Sequence, residues 1–548
     1  MKRNSLFKTV FGLKAISALL VAFLIFCFNY SCNTGGTDGG GSSECPVTLS
    51  PDIPVDVDPA LQAKLKAKND NFYELNQAFN KYSWEAFIAI MWPRDKDGKA
   101  MPKFNDEGKA TWLGWKEAFQ VYRQDGQAPS KWGEKRKTGA MLFDANVAQE
   151  DDVRVYLTDE TPANHGKKKN VADEDLQAFA GKLFDQKGTT VVYEVLMNKE
   201  EFEYIDSNKL YNINGQIAFT NKNNQIANFP AGDFKTHKIG AVEIKFAWKI
   251  LTDDDMKERY YHLPGYVLDS TKKLVKKELG MIGFHISQKT PTGKQWVWST
   301  FEQIDNLAQN NMAKDGQQKI IHPSLTDPNC EECPVNINVV DANNNPTTVS
   351  YNTEAPHGNY WLVNQNPQKY YANSTVFKTQ AKRMIDIPVR VQELNRQMQA
   401  YFKSQGSVWQ YYQLIDTQYP TDQDSPPGNN TAAGYTLPES VINKPGGKPN
   451  LSFLTNITME TFFQGGNQSA SAFMEANPPS DIMVFGTESC MGCHSSAGIY
   501  NGIDENGNFT TLPQLSGDFS WLLTQKAQWD SAVPKNKIPP PKPVPVNK

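Results

Sequence analysis

The segment Val242-Glu-Ile-Lys-Phe-Ala-Trp-Lys-Ile250 alternates large apolar side chains with charged ones. Val242, Ile244, Phe246, Trp248 and Ile250 fall on one side of an extended chain, and Glu243, Lys245 and Lys249 on the other. That two-residue period is the mark of a strand with one buried face. The pattern continues over residues 258–268, 278–287 and 295–303 with turn residues between, which predicts an antiparallel meander. Just upstream, Asn214-Gly215 between two apolar runs reads as a hairpin turn.

On the N-terminal side, Asp58-Pro59 supplies a capping side chain followed by proline at the first helical position. A helix or helix pair is expected from there to about Met91. Trp84, Phe87, Ile88 and Met91 share one face, and Pro93 stops the run. Residues 112–122 read as a further helix. On the C-terminal side, residues 305–386 are rich in Asn, Pro, Gln and Thr. They read as long loops with one hairpin across residues 341–346. Residues 389–404 predict a helix and 409–415 a strand, and residues 533–548 are a Pro/Lys tail. The fold class expected is α+β: N-terminal helices, a central antiparallel β-rich region and a mostly helical or loop-like C-terminal region. The segments are a leader (1–31), a flexible tether (32–57), a helical plus antiparallel β region (58–305), a loop-rich region with one helix and one strand (306–450), a cofactor region (451–532) and the tail (533–548).

The 548 residues are long enough for large cores, and a net charge of -4 gives no reason to expect nucleic acid as a partner. The first segment is of another kind. Lys2, Arg3, Lys8 and Lys14 precede an apolar run over residues 15–28, the layout of an export signal. Ser31-Cys32 stands where a lipoprotein signal is cut, which makes Cys32 the candidate for lipidation and membrane anchoring. Asn29 and Tyr30 depart from the usual residues before such a site, so a free secreted form is the alternative. Localisation to the periplasm or outer membrane follows. In that oxidising setting Cys330-Glu-Glu-Cys333 is expected to close a small disulfide loop.

The motif that carries chemistry is Glu488-Ser-Cys-Met-Gly-Cys-His494. Two thiols at this spacing reach the two vinyl groups of one porphyrin, and the next residue brings an imidazole under the iron. Cys490, Cys493 and His494 are therefore the candidates for one covalent haem c, with His494 as proximal iron ligand. A disulfide accounts for the cysteines without the histidine, and a zinc site lacks further ligands close by. The small residues Ser495, Ser496, Ala497 and Gly498 leave room for a porphyrin edge. No Met or His follows His494, so a sixth ligand must come from upstream or be absent. Met483 ranks first, and Met459, Met474, His285, His322 and His357 are the alternatives.

Several stretches beyond CxxCH resemble uncharacterised large bacterial exported proteins of the cytochrome c family that carry a single C-terminal CxxCH. They are Trp84-Glu-Ala-Phe-Ile-Ala-Ile-Met-Trp-Pro93, Gly283-Phe-His-Ile286, Trp296-Val-Trp-Ser-Thr-Phe-Glu302 with Asp305-Asn306, Tyr412-Gln-Leu-Ile-Asp-Thr-Gln418, Asn456-Ile-Thr-Met-Glu-Thr461 and Asp518-Phe-Ser-Trp-Leu-Leu523. The resemblance implies one integrated protein with its haem site near the C-terminus. Trp296, Trp298 and Phe301 are candidate walls for a haem pocket. The function expected is single-electron transfer in the cell envelope with a redox partner protein. The alternatives are a haem peroxidase or oxidase, and a binding protein in which haem is a relay or sensor.

Overall fold

The computed structural model describes residues 44–66, 72–123, 125–134, 154–156, 182–222, 225–268, 274–307, 322–328, 336, 349–351, 360–365, 378–383, 386–420, 454–461, 464–465, 482–484, 490–494, 497–512, 515–530 and 532–534. The chain divides into residues 1–43 and 44–548. The first unit lies wholly outside the described residues, and with it the export signal and Cys32. The expected disulfide of Cys330 with Cys333, the hairpin at 341–346, and the candidates His357 and Met474 lie outside them as well.

The second unit is α+β. It begins with helices α1 (Pro59–Lys66) and α2 (Phe72–Met91). The Asp58 carboxylate accepts hydrogen bonds from the backbone N–H groups of Ala60 and Leu61, which caps α1 as its sequence predicts. After α2 the two-residue strands β1 (Pro93–Arg94) and β2 (Lys109–Ala110) pair with each other. Residues 112–122 are not one helix. A 3₁₀ turn (Thr111–Gly114), edge strand β3 (Lys116–Glu117) and short helix α3 (Ala118–Val121) replace it. Tertiary packing overrides local propensity here: Trp112 and Trp115 belong to one apolar cluster and Val121 and Tyr122 to another.

Strand β4 (Arg154–Tyr156) comes next, then β5 (Val192–Met197), α4 (Lys199–Ser207) and α5 (Ile213–Asn221). Asn214-Gly215 is thus not a hairpin turn; it sits in the first turn of α5. The Asn212 side chain caps that helix on Gly215 N–H, and a Cβ at Gly215 would come within 1.8 Å of the Lys209 carbonyl oxygen. The glycine answers a close approach, not a left-handed turn.

Strands β6 (Val242–Ile250), β7 (His262–Leu268), β8 (Leu274–Gln288) and β9 (Val297–Gln303) follow. They do not form a simple meander. The order is β12-β9-β8-β6-β5-β3, with β12 (Tyr412–Gln418) at one edge, and β7 pairs with β8 and in parallel with β4. Gly280 of β8 pairs with Lys249 of β6 and with His262 of β7, so β7 and β9 lie end to end along the other edge of β8. The expected strand at 409–415 starts late, because Val408–Tyr411 is a 3₁₀ turn.

Helix α6 (Val389–Ser404) forms over the residues its sequence predicts. Beyond the main sheet, β10 (Val349–Tyr351), β11 (Tyr360–Gln365), β13 (Gln464–Gly465) and β14 (Ile482–Val484) make a four-stranded sheet. The chain then runs through α7 (Cys490–His494), the hairpin of β15 (Tyr500–Ile503) and β16 (Phe509–Thr511), and α8 (Leu522–Gln525).

One face of the main sheet packs on α2 and α6. Ile244, Phe246, Trp248, Phe284, Ile286 and Phe301 meet Trp84, Phe87 and Ile88 from α2 and Leu394, Met398 and Phe402 from α6. The rings interlock: Phe284 and Phe301 stack at 4.7 Å, and Trp84 stands edge-on to Phe301 at 5.0 Å. Each such side chain contributes about 2–3 kcal/mol by leaving water. Phe301, expected beside the cofactor, therefore lies on the helix-covered side and walls no site at His494.

Candidate functional site

The opposite face of the sheet carries most of the titratable groups. Cross-strand register sets Met197, Glu243, Ser287, Trp298 and Gln418 in one row, and Val195, Lys245, His285, Thr300 and Asp416 in the next. A bulge at Ala247/Trp248 leaves Ile282 unpaired with β6, and Ile282 packs with Ala247, Tyr193 and Met459. Ile282 thus shares the face of His285 although the two stand an odd number of residues apart.

Two C-terminal stretches cover this face. Residues 454–461 lie over Gly283, where a Cβ would stand 2.2 Å from the Thr458 hydroxyl. Asn456 holds that stretch through its amide to Thr300 Oγ1 and the Phe301 carbonyl, and Ile457 N–H donates to Glu302. Met459, one of the candidate ligands, is fully buried and packs among Ile282, Ile457 and Leu325.

The second stretch is α7 with the turn at residues 515–520. Five residues form the single turn that contains CxxCH, and helical spacing puts positions 490, 493 and 494 on one side of it. Cys490 packs where the two largest apolar clusters meet, and the neighbouring Met491 is fully buried in one of them. The Met491 N–H donates to the Gln418 side chain, which ties the turn to β12.

His494 is fixed from two sides. Its ring lies 4.3 Å from that of Trp298, tilted by 47°. Its Nδ1 is 2.7 Å from the Phe519 carbonyl oxygen. A carbonyl only accepts, so Nδ1 carries the proton and Nε2 keeps its lone pair. Burial pushes the imidazole pKa down to about 4, the Phe519 carbonyl and Glu460 pull it up, and His285 and Lys245 push it further down. The ring is neutral at physiological pH, the state a metal ligand requires.

The Phe519 carbonyl is aimed by a strained turn. Asp518 and Phe519 have φ of 51° and 67°, consecutive non-glycine residues in the left-handed region. The Asp518 carboxylate anchors the turn by accepting from Phe229 N–H and from the buried Lys289 ammonium. Ala497 and Gly498, expected to leave room for a porphyrin edge, pack against this turn instead. Gly517 N–H donates to the Ala497 carbonyl at 3.1 Å, and a Cβ at Gly517 would meet the Gly498 carbonyl oxygen at 2.6 Å.

Around His494 stand a second histidine and a carboxylate. His285 Nε2 lies 3.0 Å from Glu460 Oε1. Burial pushes the Glu460 carboxyl up, but the His285 ring and the Asn456 N–H outweigh it and hold it below the usual range. Trp296 is a second layer, 6.2 Å from Trp298 and edge-on to Phe229. His322 is exposed. Met483 lies on β14, paired with Trp361 and Gly465, and its side chain is outside the described residues.

Sequence reasoning missed Glu460, Lys245, Glu243, Ser520 and the Phe519 carbonyl. The stretches 456–461 and 518–523 were singled out without any chemistry attached. The donor set fits a haem iron in one respect: a neutral imidazole, locked through Nδ1, stands on the same helical turn as Cys490. Among the described residues no three His, Cys, Asp or Glu side chains cluster as ligands of a bare metal ion. Comparisons with protein families, curated proteins and solved structures find no match to this chain.

Proposed function

We propose that this chain holds one covalent haem c through Cys490 and Cys493, with His494 as proximal ligand, and passes single electrons in the cell envelope. The observation that carries the reading is the His494 imidazole, held by the Phe519 carbonyl at 2.7 Å with Nε2 left to bind. Second-sphere hydrogen bonding of this kind fixes the tautomer and ring orientation of a ligating histidine. Haem, when bound, supplies a one-electron iron couple. The chain's own residues fix its place: Trp298 limits rotation of the imidazole, and Gln418 anchors the turn that bears the thiols. The apolar run before residue 31 and Cys32 support export and a lipid anchor. Among the described residues no helix is long and apolar enough to cross a membrane.

The test is to make the full chain in a host with haem-attachment machinery, denature it in acid and extract it with solvent. Porphyrin is expected to stay on the polypeptide, and to be lost from the Cys490→Ala/Cys493→Ala double variant. Extraction of all porphyrin from the unmodified chain would sink the reading. The reduced spectrum with carbon monoxide then decides between roles. An unresponsive six-coordinate iron supports electron transfer, and one that binds the gas and reacts with peroxide replaces it with a peroxidase or oxidase.

A further inference from the structure

Behind the turn that holds His494 lies an enclosed group of acids that the proposed site does not use. Glu201 on α4 is fully buried, and neither of its carboxyl oxygens has a hydrogen-bond partner. The charges that act on it are those of Glu243 and then Asp518. The Tyr122 hydroxyl is also fully buried and unpartnered, and its charged neighbours are Glu201 and Glu243. Asp518 has a counterion in Lys289, whereas Glu201 has none among the described residues. Glu243 is half-buried and accepts from the Ser520 hydroxyl at 3.1 Å.

The connection to His494 is short. Ser520 follows Phe519, whose carbonyl receives the His494 proton donor. One turn thus contacts the imidazole with residue 519 and Glu243 with residue 520.

We infer that Glu201 and Glu243 form a proton-holding pair that takes up one proton from solvent when one electron reaches the iron carried by His494. The inference rests on the haem reading above. Two carboxylates in an enclosure with no cation on Glu201 cannot both ionise, so the pair keeps at least one proton. Burial raises Glu201 well above the usual carboxyl range, and burial raises Glu243 to about 7 against the pull of Ser520 and Lys245. Of the two, only Glu243 reaches solvent, so proton exchange with water runs through it. The other charged or titratable groups facing the enclosure are Asp518, Lys289, Lys245, Tyr122 and Tyr204. The balance is one electron from a donor protein and one proton from water, which leaves the charge of the enclosure and iron together unchanged. By linkage, an added electron raises the proton affinity of the pair, and the proton favours reduction equally.

The experiment is a redox titration of the haem-bearing full chain at a series of pH values, joined to reduced-minus-oxidised infrared spectra with dithionite as reductant. The reduction equilibrium is expected to weaken by up to about tenfold per pH unit above about pH 7. A protonated-carboxyl band is expected to gain intensity on reduction. Both signals should vanish in Glu243→Gln. Should that variant not fold, the pH slope and infrared band of the unmodified chain decide by themselves, with Glu201→Gln as the second variant. A haem-bearing chain with no pH slope and no carboxyl band overturns the proton coupling alone. A chain without porphyrin overturns the haem reading and the coupling with it.

Discussion

The two faces of the main sheet use the same strands for opposite purposes. The face under α2 and α6 is an aromatic and aliphatic layer in which Trp84, Phe87, Phe284 and Phe301 pack ring against ring. The face under residues 454–461 and 515–520 carries Glu243, Lys245, His285 and Trp298, and it is covered by turns and a single helical turn. The first face contributes stability because every atom there leaves water for a packed neighbour. The second gives some of that up. It buries Glu201 and Asp518 and half-buries Glu243, carboxyls whose charged forms the interior opposes, and it holds two residues in left-handed backbone to aim one carbonyl. Such costs concentrate where a protein positions a reactive group.

Truncating the centre of the apolar face should separate the two most strongly. Trp84→Ala is expected to cost about 3–5 kcal/mol of stability, read as a lower urea midpoint. A loss under about 1 kcal/mol would mean that α2 is not the main support of the sheet.

On the polar face the sign should reverse. Glu243 is raised by burial from an ordinary 4.5 to about 7, so the folded state binds the extra proton and stability falls as pH rises through that interval. Glu243→Gln removes this cost. The variant is expected to be more stable than the parent by about 3 kcal/mol at pH 8, with the gain gone below about pH 4.5. Thermal melts across that range check it, and a gain that grows towards acid pH contradicts it.

The smallest effect belongs to the Ser520 hydroxyl. Ser520→Ala should remove one hydrogen bond from the ionised Glu243, for about 1.5 kcal/mol of destabilisation. The loss should appear only above about pH 7, where Glu243 is charged. An equal loss at pH 5 would show that the hydroxyl supports the turn and not the carboxylate.

Local periods made part of this molecule legible in advance. The alternation at Val242–Ile250, the Asp58-Pro59 cap and the residues of α6 each carry their structure within a few positions, and each forms as its sequence predicts. Asn214-Gly215 failed for an instructive reason. The dipeptide that suits a tight turn also suits the first turn of a helix pressed against the Lys209 carbonyl, and only the neighbour distinguishes them. Of the candidate site, the thiols and the imidazole were visible as a spacing. Trp298 was one of three aromatic candidates, and only its strand register set it apart from Phe301.

By itself the sequence determined the elements whose signal is local and the CxxCH motif, because helical and strand periods and a five-residue spacing are properties of neighbouring side chains. Tertiary structure alone decided the partner of His494. That partner is the backbone carbonyl of Phe519, and a carbonyl is the same in every residue, so no choice of amino acid announces it. It likewise decided which acids share an enclosure: Asn198 holds the N–H groups of both Glu201 and Val242, which sets Glu201 beside β6, and Asp518 joins them only when the C-terminal turn closes on the sheet.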